Sequence, residues 1–336
     1  MIRTITHPST ARCTLPMYIS FLLGEPKYGS CRRLAGVMDI SHDSANRFLQ
    51  RERYEGKDLY NESAPLLILK GGTLSVDDSV LDKPYSQYLA FVGYFWSGKH
   101  KRSVKGINLI TLYYTDTKGQ HLPVNFRVYD KSEGKTKNDY FRDMLEEVLT
   151  WGLEPAFVTG DSWYSGVDNL KRVKKHSLGW LFAIESNRTV SATAPCVALP
   201  PASLQSSVDK GNWTQVQKLD IPDDGLLVWL KNYGNVKLFR IWLKDQPRHY
   251  AVFLPDDDQL AAVGRKTFTE QHDKHWHIEQ YHRAIKQVCN IEKFPPQGWS
   301  MDSAQQNRHP ESPVRRPMRL CPAPKTQRHV INRQLL

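Results

Sequence analysis

The spacing of apolar residues changes near residue 70, and the change predicts two kinds of structure. Before that point, apolar positions recur at helical spacing between polar turns. After Gly71-Gly72, runs rich in β-branched and aromatic residues over positions 106–114 and 122–129 predict strands. Positions 138–152 and 268–290 return to helical spacing. The pattern therefore predicts an α/β protein that begins with a helical region.

Within that first region, residues 30–51 predict two short helices joined by a tight turn. Ser30 and Ser41 each precede a helical apolar pattern, as N-cap residues do. We expect Leu34, Val37 and Met38 of the first helix to face inward, and Ala45, Phe48 and Leu49 of the second. The pair resembles a helix-turn-helix, although an ordinary helical hairpin has the same pattern. Residues 1–70 are therefore predicted to form a helical, DNA-binding domain.

The remaining elements follow the order β-β-β-α-β-α-β over residues 71–188. A separate group of strand-like runs lies in residues 189–252, and a final helix is predicted within residues 253–294. This order predicts a mixed sheet flanked by helices, interrupted by a β-rich insertion over 189–252. Residues 295–336 combine seven prolines with scattered arginines and few apolar pairs, which predicts a disordered tail.

Charge indicates the class of partner. The chain has 46 Lys and Arg against 35 Asp and Glu, a net charge of +11, which favours a polyanion such as nucleic acid. No segment approaches the ~18 apolar residues of a membrane span. The five cysteines form no C-x-x-C pair, so we expect neither a disulfide framework nor a cysteine zinc site, and a reducing cytoplasm fits best.

Three carboxylates fall where the predicted topology can bring them together. Asp78 ends or interrupts the first strand, Asp161 follows the fourth, and Glu279 lies on the late helix. Side chains at the carboxyl ends of central strands gather at one crevice, and a helix packed across it can add a third acid. Such a cluster needs hard cations, and Mg²⁺ or Mn²⁺ suit its oxygen ligands. Two such ions support phosphodiester cleavage.

The late helix places basic groups around its acid. At about 100° per residue, Glu279 shares a face with several cationic or imidazole side chains, while apolar residues form a separate stripe. The first set is His272, His275, His282, Arg283 and Lys286. The apolar stripe is Ile278, Tyr281, Ile285 and Val288. We expect the stripe to pack on the sheet and the other face to hold metal ions and grip phosphates.

Residues 275–292, HWHIEQYHRAIKQVCNIE, resemble the signature helix of DDE transposases of bacterial insertion sequences, in the branch with a Y-x2-R-x3-E-x6-K pattern. Glu279 and Lys286 match its E-x6-K part, whereas His272 and His275 stand at the Tyr and Arg positions. A neutral histidine is a weaker anion ligand than arginine. The match supports Glu279 as the third acid.

Two further blocks carry the resemblance, which spans residues 74–292. VDDSVLDKP, residues 76–84, is similar to the family's first-acid strand, in which Asp precedes Thr or Ser; this points to Asp78 rather than Asp77. VTGDSWYS, residues 158–165, is similar to the second-acid strand and points to Asp161. The resemblance implies an RNase H-like core over 71–188 and 253–294, with the insertion between the second and third acids.

The resemblance also implies an activity. The protein would bind the terminal inverted repeats of its element, cut the strands with two Mg²⁺ or Mn²⁺ ions on Asp78, Asp161 and Glu279, and join them to target DNA. It would act as a homodimer on double-stranded DNA at the nucleoid of a bacterial cytoplasm. His275, His282, Arg283 and Lys286 are the expected DNA contacts. Trp229 and Trp242 could stack on an unpaired base or belong to the core of the insertion.

Two other interpretations stay open. His275, Glu279 and His282 could ligate zinc, but their spacing is not that of H-E-x-x-H, and a zinc site leaves both aspartates unexplained. The family's helical pattern also stops at Pro295-Pro296. A disrupted reading frame near residue 295 would leave an impaired transposase that acts only as a DNA-binding repressor.

Overall fold

The computed structural model describes residues 11–25, 29–51, 54–86, 91–192, 212–287, 289 and 291–292. Its strands form one mixed sheet. The strands are β1 (Thr73–Asp82), β2 (Gly93–Ser97), β3 (Arg102–Thr115), β4 (His121–Val128), β5 (Phe157–Gly160), β6 (Gly179–Ile184), β7 (Thr189–Ser191), β8 (Trp213–Gln215), β9 (Leu226–Leu230), β10 (Gly234–Leu243) and β11 (Gln246–Phe253). The helices are α1 (Leu15–Gly24), α2 (Cys31–Met38), α3 (His42–Arg51), α4 (Gly56–Ser63), α5 (Lys137–Thr150), α6 (Val167–Lys175), α7 (Asp257–Ala262) and α8 (Arg265–Gln287).

The strand order is β2-β3-β1-β5-β6-β11-β10-β9-β7-β8, and β4 pairs with β3 on the side opposite β1. β1, β5 and β6 are parallel, whereas β1, β3 and β4 pair antiparallel. The segment β4-β3-β1-β5-β6 has the arrangement of an RNase H-like core, and helices flank the sheet. The predicted fold class is therefore confirmed.

Successive side chains of β1 point to opposite faces of the sheet, and different helices pack on each face. Leu74 and Val76 join the main core with apolar residues of α5 and α6, including Phe141 and Leu170. Ser75, between them, instead bonds the Thr159 hydroxyl on the face that α8 covers. The two faces of β1 therefore meet an apolar layer on one side and a polar layer on the other.

The strands of the insertion extend the central sheet. β11 pairs antiparallel with β6, and β10 and β9 continue outward from it. The buried Trp180 ring of β6 packs against Tyr233 and Phe253, with centroids 5.5 and 5.9 Å away. Because β11 covers the edge of β6, the insertion shares its core with the central sheet. This continuity was not expected from a separate β-rich module.

The edge strand β2 is among the strands that were not predicted. β2 is five residues long and alternates between exposed and buried positions at the edge beside β3. Its Tyr94 and Trp96 side chains are exposed, so its composition gave no sign of a buried strand. The predicted meander of three strands therefore has an additional edge strand.

The N-terminal helices follow the predicted caps. The Ser30 hydroxyl accepts from the Arg33 N–H at 3.2 Å, and the Ser41 hydroxyl accepts from the Ser44 N–H at 3.1 Å. Asp39 adopts the left-handed conformation between α2 and α3. Val37 is exposed, so the expectation that it faces inward is wrong, whereas Leu34 is buried as predicted. Binding of DNA by this region stays a prediction.

The predicted tail over residues 295–336 lies outside the described residues. Among the helices of the described ranges, none has the length and apolar composition that crossing a membrane requires.

Candidate active site

Asp77 and Asp78 lie next to the point where β5 ends. The last parallel pair joins Val76 to Gly160, so both aspartates extend past β5, and Asp161 follows immediately on the neighbouring strand. Consecutive residues of a strand point to opposite faces. Asp77 and Asp78 therefore approach Asp161 from different sides of the sheet.

The carboxylate of Asp78 lies on the face of α5, where three donors hold it. Asn108 Nδ2 is 2.6 Å from Oδ2, Lys137 Nζ is 2.8 Å from the same oxygen, and the Tyr164 hydroxyl is 3.1 Å from Oδ1. Lys137 and Asp78 are both largely buried. Lys137 thus neutralises an acid that the sheet otherwise surrounds.

The carboxylate of Asp77 lies on the face of α8. His282 Nδ1 donates to its Oδ2 at 3.2 Å, and His282 Nε2 lies 3.1 Å from the Thr111 hydroxyl. Burial opposes the charged form of Asp77, but the bond from His282, the nearby His275 and the Asp78 N–H together lower its pKa. Asp77 is therefore ionised in this environment.

Asp161 has a strongly raised pKa in this buried environment. Burial, then the charges of Asp77 and Asp78, raise its pKa to about 7. Its Oδ1 accepts from the Trp163 N–H at 3.0 Å, in a 3-10 turn over Ser162–Tyr164 that opposes this shift only partly. Asp161 is thus half-protonated near neutral pH unless a cation joins the cluster.

Glu279 lies on an exposed position of α8. Partial desolvation and the charge of Asp77 raise its pKa, while Arg283 and His282 oppose the rise. Asp77 therefore acts on both Asp161 and Glu279. Asp78 adds its charge to that of Asp77 at Asp161, whereas Asp77 is the acid that acts on Glu279.

A model of the transposase DDE domain matches residues 70–301 of the chain. The chain belongs to the DDE transposase family. The matched range contains β1, β5 and α8, so the family identified from the three sequence blocks is confirmed. No curated protein matches the sequence. Membership places the chain among DNA-binding enzymes of transposition with nuclease activity, a family that typically uses divalent metal ions.

In this DDE transposase, α8 packs on the sheet through polar contacts. Side-chain bonds of 2.8 to 3.2 Å join Thr73 to Gln271, Thr159 to His275, Thr111 to His282 and Thr115 to His277. The hydroxyls of β3 and β5 bond imidazoles that would otherwise lose their hydrogen bonds on burial, and the Thr73 hydroxyl of β1 donates to the Gln271 amide oxygen. Threonines on the sheet therefore form hydrogen bonds with the histidines that line one side of α8.

This interface corrects the expected orientation of His282. The ring is 5% exposed, and its helix face also carries the buried Ile278 and Ile285, so it does not share the exposed face of Glu279. His275 is half-buried, and burial lowers its pKa to about 4, which keeps the imidazole neutral. Both rings bond to the sheet, which favours a role in holding α8 over a direct grip on phosphate. Val288, assigned to the apolar stripe, lies outside the described residues.

The two cations expected beside Glu279 have different surroundings. Arg283 is exposed and lies over the Trp276 ring, 5.7 Å from its centroid. Lys286 is partly buried, with its Nζ 3.7 Å from an oxygen of Glu292, and burial lowers its pKa. Arg283 is thus displayed to solvent, whereas Lys286 faces an acid of its own chain.

The two tryptophans of the insertion differ in exposure. Trp229 is half-buried on β9. Trp242 is 62% exposed near the end of β10, with Arg240 5.5 Å from its ring centroid. The following turn has positive φ at Lys244 and Asp245, as two-residue hairpins require. Trp242 is therefore displayed on a hairpin tip, and base stacking by either ring stays a prediction.

Asn108, Lys137 and Tyr164 contact Asp78 and were not predicted as site residues, and Asp77 was set aside in favour of Asp78. Tyr164 lies in the VTGDSWYS block, and Lys137 lies in GKTKNDYF, residues 134–141, within the range that the resemblance spans; this was the available signal. No sequence signal indicated Asn108, because it lies inside an apolar strand and the direction of its side chain depends on pairing with β1.

The acids of the transposase fit a hard divalent cation by chemistry. Their ligands are carboxylate oxygens, and the raised pKa values of Asp161 and Glu279 show a cluster short of positive charge. Within the described ranges, no three His, Cys, Asp or Glu side chains are grouped so as to hold one metal ion. Coordination of one ion by three of these carboxylates would therefore require them to move closer together.

Proposed function

We propose that this transposase cuts DNA at the terminal inverted repeats of its element and transfers the freed 3′ ends to target DNA. The observation that carries the proposal is the raised pKa of Asp161, which burial and two neighbouring acids produce at the end of β5. Carboxylates forced together in this way gain most from divalent cations. Two Mg²⁺ or Mn²⁺ ions would supply Lewis acidity and an activated nucleophile.

We assign the catalytic and metal-binding roles to Asp78, Asp161 and Glu279. The order Asp-Ser in the first block supports Asp78, and its coupling to Asp161 is consistent with this. Asp77 is the competing first acid, because it shares the α8 side with Glu279 and raises its pKa. Its bond to the buried His282 argues against Asp77, since a metal would have to compete with that donor.

The chain's own residues prepare the site. Asn108 and Tyr164 orient the Asp78 carboxylate, and Lys137 balances its charge. Protonation of Asp161 at a pKa of about 7 relieves repulsion until cations bind, and binding would release that proton. Arg283 is the cation best exposed for contact with a DNA phosphate beside Glu279.

The wider assignments belong to the same proposal. Helices α1–α4 would contact DNA, Lys286 would reach a phosphate after leaving Glu292, and Trp229 or Trp242 would stack on a base. Two copies would assemble on the element ends at the bacterial nucleoid. The zinc interpretation is disfavoured because both ring nitrogens of His282 already bond to the sheet. The family match through all three acid-bearing elements does not favour the repressor interpretation.

A cleavage assay tests the proposal. The full chain is incubated with DNA that carries the element's own ends, with Mg²⁺ or Mn²⁺, and compared with Asp78→Asn, Asp77→Asn, Asp161→Asn and Glu279→Gln. We expect wild-type nicking, its loss in Asp78→Asn, Asp161→Asn and Glu279→Gln, and residual nicking in Asp77→Asn. Loss in Asp77→Asn with activity in Asp78→Asn would reassign the first acid. Nicking that survives all four changes would refute the site.

A further inference from the structure

Trp163 is exposed beside the acid cluster, two residues after Asp161. Its side chain is 60% exposed, whereas the neighbouring Tyr164 is fully buried. Burying an apolar indole ring against a ligand is more favourable than leaving it in water. An exposed indole beside charged groups is therefore suited to contact a ligand. None of the contacts that hold the acids uses the Trp163 ring.

The backbone fixes Trp163 to the second acid. Its N–H donates to Asp161 Oδ1 at 3.0 Å, and the next residue, Tyr164, reaches Asp78 Oδ1 at 3.1 Å through its hydroxyl. The 3-10 turn over Ser162–Tyr164 therefore contacts Asp161 through the Trp163 N–H and Asp78 through the Tyr164 hydroxyl. The ring is held at a defined place relative to both carboxylates.

Lys137 connects the same ring to the first acid. Its Nζ lies 2.8 Å from Asp78 Oδ2 and 5.0 Å from the centroid of the Trp163 ring. A cation over an aromatic face adds attraction and orients that face. One lysine thus joins a carboxylate expected to bind metal with an aromatic ring open to solvent.

We propose that Trp163 stacks on an unpaired nucleobase next to the phosphate that lies at the acids, with Lys137 contacting the adjoining backbone. This inference rests on the proposed function, because the acids are what would place a DNA strand there. The ligand is a nucleobase because a flat aromatic ring beside a cation and a phosphodiester site matches one nucleotide. Bases inside a duplex have no free face, so the base must be unpaired or at a strand end.

A fluorescence assay tests this. The probe is a duplex with a short single-stranded overhang whose first unpaired position is 2-aminopurine, and the reference is the same duplex without the overhang. We expect the full-length wild type to quench 2-aminopurine and to bind the overhang duplex about tenfold more tightly, the order of one base stack. Trp163→Ala should lose the quenching and the preference, with blunt-duplex affinity unchanged.

Two variants serve as controls. Trp163→Phe keeps an aromatic face and should retain most of the preference. Trp96→Ala removes a ring of similar exposure from the edge strand β2 and should behave as wild type. A preference that persists in Trp163→Ala, or an equal loss of affinity for both probes, would overturn the inference. If the wild type nicks element ends but shows no preference for the overhang, only this inference is overturned. If the wild type neither nicks nor binds DNA, the proposed function is overturned as well.

Discussion

His282 on α8 donates a hydrogen bond of 3.2 Å to Asp77 on β1, across 205 residues of sequence. The same ring bonds Thr111 on β3, so one imidazole fastens the helix that carries Glu279 to the two strands beneath it. Because the ring is buried, this contact is shielded from competing water. The position of Glu279 therefore depends on a polar contact between α8 and β1.

We predict that His282→Ala destabilises the fold by about 2–4 kcal/mol, because it leaves the Asp77 carboxylate without its main partner. The free energy of unfolding from urea titration measures the change. His42→Ala removes an exposed histidine of α3 and should alter stability by less than about 0.5 kcal/mol. An unchanged unfolding free energy in His282→Ala would show that the contact adds no stability.

Much of the fold follows from the sequence because the apolar pattern distinguishes strands from helices. Phe141, Met144 and Leu145 of α5 repeat at helical spacing and are buried, as that spacing predicts. Asp161 also lies where a strand gives way to a turn, which the pattern marks clearly. These features depend on residues close together in the chain.

The α8 interface could not be predicted in the same way. Thr111 and Thr115 alternate with apolar residues on β3, a pattern that also fits a solvent-facing side. Their histidine partners lie 171 and 162 residues later, so nothing local indicates the pairing. The choice between Asp77 and Asp78 has the same difficulty, because it depends on which face of β1 meets α8.

The raised pKa of Asp161 predicts a pH-dependent stability in the absence of divalent metal. The folded-state pKa of about 7 lies above the ordinary aspartate value of 3.8, so the folded state retains the proton. The resulting stabilisation is complete below about pH 4 and is lost as the pH rises through 7. Thermal unfolding of wild type and Asp161→Asn from pH 4 to 8 measures it.

One carboxyl can change the free energy of unfolding by at most roughly 1.4 kcal/mol per pH unit, because it binds or releases one proton. We expect wild type to lose stability relative to Asp161→Asn between pH 4 and 7, because asparagine has no charge to gain. A stability difference between the two proteins that stays constant across this range would contradict the assigned pKa.

Divalent metal should reverse that loss. Ions that bind only the folded state stabilise it by RT ln(1 + [L]/Kd), which is about 2.7 kcal/mol when free metal reaches a hundred times Kd. We predict that Mg²⁺ or Mn²⁺ raises the Tm of wild type at pH 8 and has a much smaller effect on Asp161→Asn. The matched control is Asp168→Asn on α6, which should respond as wild type does. Equal shifts in all three proteins would indicate binding elsewhere.

Gly160 is predicted to tolerate no side chain, because it ends β5 immediately before Asp161. A Cβ atom there would lie 2.5 Å from Phe182 Cε1 and 2.8 Å from Val76 Cγ1, closer than packed atoms approach. Gly160→Ala should therefore push β5 from its neighbours, destabilise the fold by about 1–3 kcal/mol and abolish DNA nicking through the displaced acid.

Gly36→Ala, within α2 and with nothing near the added Cβ, should be neutral or stabilising by up to about 1 kcal/mol. Urea unfolding and the nicking assay, run on both variants, separate the two effects. Full nicking by Gly160→Ala would mean that the position of Asp161 does not depend on the packing of β5 against β1 and β6.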